Sequence, residues 1–144
     1  MQNELGPIPP PSSASVSKSM RSNRGKDTGP EILLRSALWT AGLRGYRLHR
    51  KGVPGRPDIS FGPQGLAVFV NGCYWHRCPR CDLPIPRAHR EFWKSKFELN
   101  AKRDARKLAE LEADGWRTLV IWECEIREDL TRCVDRVRRA LRGL

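Results

Sequence analysis

The sequence predicts one mixed α/β domain, and three observations support that class. The chain has 144 residues, a length that suits a single domain and little more. Residues 66–70 form a continuous apolar run, which is typical of a strand covered on both faces, and residues 116–122 form a second apolar stretch. Between them, residues 91–113 carry apolar side chains at helical spacing. We therefore expect the order α-β-β-β-α-β-α.

The first 20 residues differ from the rest of the chain because they are rich in proline and serine. A segment of this composition cannot bury a core, so we expect residues 1–20 to form a disordered tail and residues 21–144 to form the domain. Some signalling domains bind proline runs of this kind, but a solvated tail is the simpler interpretation.

The predicted domain begins with a helix. Thr28 and Glu31 form a capping box around Pro30, and Gly42 ends the apolar helical pattern that follows. Three strands come next, and the glycines and proline of residues 62–65 mark the turn between the second and the third. The predicted strands cover residues 46–49, 58–61 and 66–70.

The second half of the predicted domain starts with a loop rich in cysteine, proline and arginine over residues 71–87. A long helix, a strand and a closing helix follow, and Gly115 separates the long helix from its strand. One stripe of the long helix contains two polar residues that need partners in the interior. This stripe consists of Trp93, Phe97, Asn100, Asp104, Leu108 and Leu111, and the closing helix is marked by Leu130, Val134, Val137 and Leu141.

The chain is strongly basic, with 27 Lys and Arg residues against 16 acidic residues and a net charge of +11. A field of this sign attracts polyanions, either nucleic acid or an anionic membrane. No apolar run approaches the roughly 18–20 residues of a membrane span, and the N-terminus lacks the blocks of a signal peptide. Membrane and secreted classes are therefore disfavoured.

The cysteines give the strongest chemical signal. Cys73, Cys78 and Cys81 fall within nine residues, and Cys124 follows the later strand. Zinc prefers four thiolate or imidazole ligands, and Cys124 can join the others if the two strands are parallel neighbours. Buried free thiols and disulfides are the alternatives, but the loop is polar and a secretory signal is lacking. We expect a structural zinc site, with Cys133 filling the core instead.

Two further residues are candidates for catalysis. Asp58 starts a strand in a chain with a positive field, a natural position for a magnesium ion that must meet phosphate. A Pro-Asp pair also begins ordinary turns, so this signal alone is weak. His76 follows the apolar strand, and a lone histidine is more often structural than catalytic. Four cysteines complete the zinc site without it, which leaves His76 available for another role.

Several motifs together resemble the very short patch repair (Vsr) endonucleases. The similarity runs in order from about residue 20 to residue 128, and the separated motifs keep their relative spacing. They are RSNRGKDTGPE at 21–31, LHRK at 48–51 with PGRPD at 54–58, FVNGCYWH at 69–76, EFW at 91–93, NAKRD at 100–104, and GWR at 115–117 with WEC at 122–124.

This resemblance implies a restriction-endonuclease-like fold of the PD-(D/E)XK type, in which helices flank a mixed sheet. It also implies an enzyme that nicks one strand of double-stranded DNA at a T:G mismatch left by deamination of 5-methylcytosine, and so starts repair. We accordingly expect a monomeric, bacterial, cytoplasmic protein associated with the nucleoid, without a membrane partner and with repair proteins as candidate partners.

The resemblance also implies roles for catalytic residues. Asp58 would bind magnesium through its carboxylate, and Val70 would bind it through its backbone carbonyl. His76 would be the general base that deprotonates the attacking water, which an imidazole can do near neutral pH. Glu31 and Asp104 would be supporting polar residues of the same site.

The resemblance assigns the aromatic residues Tyr74, Trp75 and Trp93 to a wedge that enters the base stack. Asn71 occupies a catalytic position at which members of the family often carry histidine. An amide cannot shuttle a proton, so this position departs from the family pattern.

Cys73, Cys78 and Cys124 occupy zinc positions of the family. Cys78 stands where the family has histidine, and the next ligand, Cys81, is shifted by one residue from the family's position. Four thiolate ligands should bind zinc at least as tightly as a set that mixes cysteine with histidine.

Two other functions are consistent with parts of the sequence. A zinc-containing DNA-binding module without catalysis would account for the charge and the cysteines, but not for Asp58, His76 and Asp104. A nuclease of the same fold that acts on another lesion or on unmodified DNA would account for all of them.

Overall fold

A computed structural model of the chain describes residues 28–143 and shows a four-stranded sheet with helices on both faces. The predicted tail of residues 1–20 and the predicted domain start at residue 21 lie outside the described residues. The elements are α1 (Gly29–Thr40), β1 (Arg47–Leu48), β2 (Ile59–Phe61), β3 (Leu66–Asn71), α2 (Arg90–Ala113), β4 (Arg117–Trp122), α3 (Glu123–Glu128) and α4 (Leu130–Leu141).

The start of α1 follows the capping signal in the sequence. The Thr28 hydroxyl accepts a hydrogen bond from the backbone N–H of Glu31 at 3.4 Å, and Pro30 lies in the first turn. Gly42, just past the end of α1, has a φ of +84°, a conformation that glycine adopts without a steric penalty. The predicted helix is therefore confirmed.

The sheet has the strand order β1-β2-β3-β4. The first two pairings are antiparallel, and β3 pairs with β4 in parallel, with Val68 opposite Leu119. A parallel pair needs a crossover connection, and α2 lies within that connection. The mixed sheet that the sequence predicts is confirmed.

β3 is covered on both faces, as its continuous apolar sequence predicts. Leu66, Val68 and Val70 enter a core cluster that also contains buried side chains of α1, α3 and α4. Ala67 and Phe69 enter a second cluster with Leu111 of α2 and Val53. Because alternate residues of a strand point to opposite faces, this one strand forms the floor of both cores.

The longest helix, α2, has 24 residues and buries a narrow stripe, whose C-terminal part packs on the sheet and whose N-terminal part packs on the loop after β3. Trp93, Phe97 and Leu111 are its buried residues, which confirms the predicted stripe. Charged residues occupy much of the remaining surface, and none of the helices within residues 28–143 is long and apolar enough to cross a membrane.

The short helix α3 is absent from the element order that the sequence predicts. It has six residues, and Ile126 is its one buried side chain, so it shows no apolar periodicity. Its start depends on a local contact, since the Glu125 carboxylate accepts a hydrogen bond from the backbone N–H of Trp122 at 3.1 Å. In α4, Cys133 is 1% exposed and belongs to the main core cluster, as predicted.

Candidate active site and metal centre

The candidate site lies at the edge of the sheet where β3 and β4 end side by side. Asn71, the last residue of β3, is in register with Trp122, the last residue of β4. The chain continues from these two ends to Cys73 and to Cys124. Asp58 precedes β2, which runs antiparallel to β3, and it therefore reaches the same edge.

Asp58 is tied to β3 and is largely shielded from water. Its Oδ2 accepts a hydrogen bond from the backbone N–H of Val70 at 2.7 Å. The pKa of Asp58 is raised to about 7, mainly by burial and also by the neighbouring carboxylate of Glu31, while the Val70 N–H and His76 act in the opposite direction. A carboxylate with this pKa, next to a second carboxylate, is typical of a functional site.

The segment before Asp58 packs closely on α2. Gly55 has a φ of +73°, and a Cβ atom on it would lie 2.9 Å from the Cβ of Lys107. A larger residue would push the two segments apart, so glycine is required for this approach. On the other side, the backbone N–H of His49 donates to the carbonyl of Asp58 at 3.3 Å, which places β1 beside the site.

Glu31 and His49 complete a group of three potential ligands with Asp58. Glu31, in the first turn of α1, is 4% exposed. His49 Nε2 lies 3.5 Å from Glu31 Oε2, and His49 Nδ1 lies 4.0 Å from Asp58 Oδ1. One ligand atom from each of the three lies within 4.8 Å of the others, a spacing suited to a single cation.

The structure thus brings the predicted residues Glu31 and Asp58 together and adds one that the sequence analysis does not identify. His49 follows a two-residue strand, and no spacing rule links it to positions 31 and 58. The one signal in the sequence is its place within the motif at residues 48–51.

His76 forms the second half of the site. Its Nδ1 lies 2.6 Å from Asp104 Oδ2, a distance typical of a charge-assisted hydrogen bond. The loop that carries His76 is held to α2 by Asn100, whose side-chain amide donates to the carbonyl of Trp75 at 3.4 Å. The two polar residues in the stripe of α2 therefore both have the interior partners that their positions require.

The four predicted zinc ligands converge. The sulfur atoms of Cys73, Cys78, Cys81 and Cys124 all lie within 4.8 Å of one another, and Cys78 Sγ is 3.8 Å from Cys124 Sγ. Tetrahedral zinc with bonds of about 2.3 Å separates its sulfur ligands by about 3.8 Å. The donor set and its spacing therefore fit zinc, and Cys133 is not part of this group.

Burial and backbone donors have opposite effects on the pKa values of these cysteines. Burial raises the pKa of Cys73 and of Cys124, although the N–H of Cys124 donates to Cys73 Sγ at 3.3 Å and opposes this effect at Cys73. Burial acts in the same direction at Cys78, but hydrogen bonds from the N–H groups of Cys81 and Arg80 and from the thiols of Cys124 and Cys81 together outweigh it, so the pKa of Cys78 is lowered. A bound cation would further favour the thiolate forms.

The aromatic residues form one cluster beside His76. The rings of Tyr74 and Trp75 lie 5.3 Å apart, and Trp75 lies 5.9 Å from Trp93. Tyr74 and Trp75 are half-buried, whereas Trp93 is 4% exposed. Three further members are not assigned to the cluster from the sequence. Phe97 packs against all three rings, Phe92 lies 5.2 Å from Trp93, and the Arg77 guanidinium lies 4.4 Å from the centre of the Phe97 ring.

Two predicted residues are backbone neighbours at the end of β3. Val70 is buried and contacts Asp58 through its N–H, and Asn71 follows it with a partly exposed side chain. Both therefore lie between the carboxylate group and the cysteine cluster.

Comparison with known proteins agrees with these features. Residues 12–81 match the sequence profile of the family described as "DNA mismatch endonuclease Vsr". The chain is 43% identical over 122 residues to "Type II nicking enzyme V.XorIIP" of Xanthomonas oryzae pv. oryzae (strain KACC10331 / KXO85), covering 85% of this chain and 88% of the relative.

Two further relatives show similar coverage. "Type II nicking enzyme V.NmeDIP" of Neisseria meningitidis serogroup C is 37% identical over 129 residues, with 87% of this chain and 84% of the relative covered. "DNA mismatch endonuclease Vsr" of Escherichia coli (strain K12) is 37% identical over 114 residues, with 79% of this chain and 72% of the relative covered. The chain, with its restriction-endonuclease-like fold, therefore belongs to the Vsr family of DNA mismatch endonucleases.

Proposed function

We propose that this protein nicks one strand of double-stranded DNA at a T:G mismatch, by magnesium-dependent hydrolysis of a phosphodiester bond. One observation carries the proposal: His76, hydrogen-bonded to Asp104, lies close enough to lower the pKa of Asp58, which itself sits beside Glu31. The four residues come from four separate segments. A DNA-binding module would not need this arrangement, whereas hydrolysis needs an activated water and relief of charge on the phosphate.

His76 is the general base in this proposal. Asp104 accepts the hydrogen bond from Nδ1, which orients the ring and leaves Nε2 to take a proton from the attacking water. The negative charge of Asp104 also stabilises the imidazolium that forms. Asn71 cannot take up a proton, and we assign it a hydrogen-bonding role toward the substrate.

Asp58 and the backbone carbonyl of Val70 would hold Mg²⁺, with Glu31 as a supporting carboxylate. Because the Val70 N–H donates a hydrogen bond to Asp58 Oδ2, the other oxygen, Oδ1, faces the remaining ligands. When bound, the ion would offset the negative charge that builds up on the phosphate. Carboxylate and carbonyl oxygens are the ligands that magnesium prefers.

Tyr74, Trp75 and Trp93 form the wedge that separates base pairs next to the lesion. The half-buried side chains of Tyr74 and Trp75 provide the surface that enters the base stack, and Trp93 packs behind Trp75. Unstacking costs a few kcal/mol per step and less at a mismatch, where pairing is already weak. Deformability of the mismatch therefore contributes to selectivity.

The cysteine cluster would hold zinc in a structural role. Four protein ligands leave no open position on a tetrahedral ion, so it would take no part in hydrolysis. Its effect would be to fix the loop that carries His76 to the segment that follows β4.

The proposed base can be tested with two histidine variants. His76→Ala should lower the rate of nicking about 10²–10⁴-fold, the usual loss when a general base is removed. His89→Asn is the control, because His89 is exposed at the start of α2, makes no capping hydrogen bond with its side chain, and has a φ of 57° that asparagine tolerates. Single-turnover rates on one mismatched duplex give the comparison. Equal rates for the two variants would exclude the assignment of His76.

The raised pKa of Asp58 predicts a pH-dependent stability. Its pKa is about 7 in the folded protein against an ordinary 3.8, so the folded state favours the protonated carboxyl. This contribution to stability is present at low pH and is lost as the pH rises toward 7 and above.

Thermal unfolding without added Mg²⁺ should therefore show a larger loss of stability from pH 5 to pH 8 in the native protein than in Asp58→Asn. Added Mg²⁺ should stabilise the native protein more at pH 8 than at pH 6, because it need not displace a proton. Identical pH profiles for the two proteins would contradict the proposed ionisation.

Zinc content gives a further prediction. Purified protein should contain one zinc ion per chain, and Cys78→Ser should lose both the metal and much of its stability, since structural zinc contributes on the order of 10 kcal/mol. Cys133→Ser should keep its zinc, because Cys133 lies in the core. Elemental analysis distinguishes the variants, and a zinc-free native protein would refute the assignment.

Substrate comparison tests the proposed function itself. The native protein should nick a T:G duplex much faster than T:A and C:G duplexes of the same sequence. Trp75→Ala should narrow that preference but keep most of the salt-dependent affinity, which comes from Lys and Arg contacts to phosphate. Trp39→Ala is the matched control, since Trp39 is 52% exposed on α1. Equal nicking of all duplexes would indicate a less selective nuclease.

A further inference from the structure

A backbone hydrogen bond of His49 fixes its side chain beside the carboxylates of Glu31 and Asp58. Its N–H donates to the carbonyl of Asp58 at 3.3 Å, a bond that follows the pairing of Leu48 with Ile59. Its φ of 46° turns the chain out of β1 at this residue. The imidazole is 20% exposed and lies between two carboxylates from different segments, Glu31 and Asp58.

The spacing of these donors suits one six-coordinate ion. With bonds of about 2.1 Å, adjacent ligand atoms of an octahedral ion lie about 3.0 Å apart and opposite ones about 4.2 Å apart. His49 Nε2 lies 3.5 Å from Glu31 Oε2, which is within that range, whereas the 4.0 Å to Asp58 Oδ1 is measured from the other ring nitrogen, Nδ1. One ligand atom from each of the three residues lies within 4.8 Å of the others, so a small inward movement would place all three around one ion. The group therefore offers one imidazole nitrogen in addition to carboxylate oxygens.

An imidazole ligand changes which ion a site prefers. Magnesium favours oxygen ligands and retains much of its water, whereas first-row transition ions bind imidazole well. A site with oxygen ligands alone would be occupied by magnesium because that ion is the more abundant one. A mixed site also offers an imidazole nitrogen, which manganese binds well and magnesium binds poorly.

We propose that His49 is a direct ligand of the catalytic divalent ion, so that Glu31, His49 and Asp58 form a mixed nitrogen–oxygen site that binds Mn²⁺ more tightly than Mg²⁺. This inference rests on the proposed function only in placing a divalent ion at Asp58. It differs from an arrangement in which the imidazole merely balances the two carboxylates without touching the ion.

Pulsed electron paramagnetic resonance of the zinc-loaded full chain with Mn²⁺ separates these arrangements, because it detects nitrogen bound to the ion. The chain has three histidines, which supplies matched controls. The nitrogen signal should be present in the native protein, absent in His49→Gln, and retained in His76→Gln and His89→Gln. Mn²⁺ affinity should fall roughly tenfold or more in His49→Gln, with a smaller change for Mg²⁺.

His49→Asn provides a second variant, because asparagine tolerates a positive φ better than most residues and so preserves the backbone turn. It should also lose the nitrogen signal. Persistence of that signal in both variants, or bound Mn²⁺ without any nitrogen signal in the native protein, would overturn the inference.

These measurements are independent of mismatch recognition. Selective nicking with Mg²⁺ but no nitrogen signal would refute the role of His49 and leave the proposed function intact. A nitrogen signal that depends on His49, in a protein that nicks matched and mismatched duplexes equally, would support the ligand and refute the mismatch selectivity.

Discussion

The parallel pairing of β3 with β4 is the constraint on which both candidate sites depend. Because parallel neighbours end at the same edge of a sheet, Cys73 and Cys124 meet although 50 other residues separate them in the chain. The same pairing requires a crossover, and α2 supplies it. Asn100 and Asp104 of α2 therefore reach the loop that carries His76. One pairing thus positions the cysteine cluster and the proposed general base together.

The two carboxylates of the candidate site are opposite in sign to the net charge of the chain. The chain has a net charge of +11, yet it buries the carboxylates of Glu31 and Asp58 side by side. Loss of hydration on burial is the main cause of the raised pKa of Asp58, and repulsion between the two carboxylates adds to it. A cation relieves that repulsion, and the surrounding positive field draws a polyanion toward it. The local charge pattern and the overall charge therefore suit successive binding of an ion and a nucleic acid.

Ligand chemistry keeps the two proposed cation sites distinct. The cysteine cluster offers four sulfur atoms, which select zinc, whereas the group at Asp58 offers oxygen and imidazole nitrogen. Val70 and Asn71 lie between the two groups on one strand, so each site restrains the same backbone. A zinc ion at the cysteine cluster would therefore support the placement of the proposed hydrolytic residues without taking part in the chemistry.

Local rules in the sequence predict every described element except α3, and they predict the group of four cysteines. The cap at Thr28, the doubly covered β3 and the spacing of the cysteines each follow from local rules, and the motifs are sufficient to predict the family. Only the tertiary structure brought His49 to Asp58 and Phe97 beneath the aromatic rings. These contacts join segments whose separation follows no periodicity, since they depend on how the strands pair and how closely α2 packs on the sheet. Local patterns encode which face of an element is buried, whereas packing alone decides which polar atoms meet.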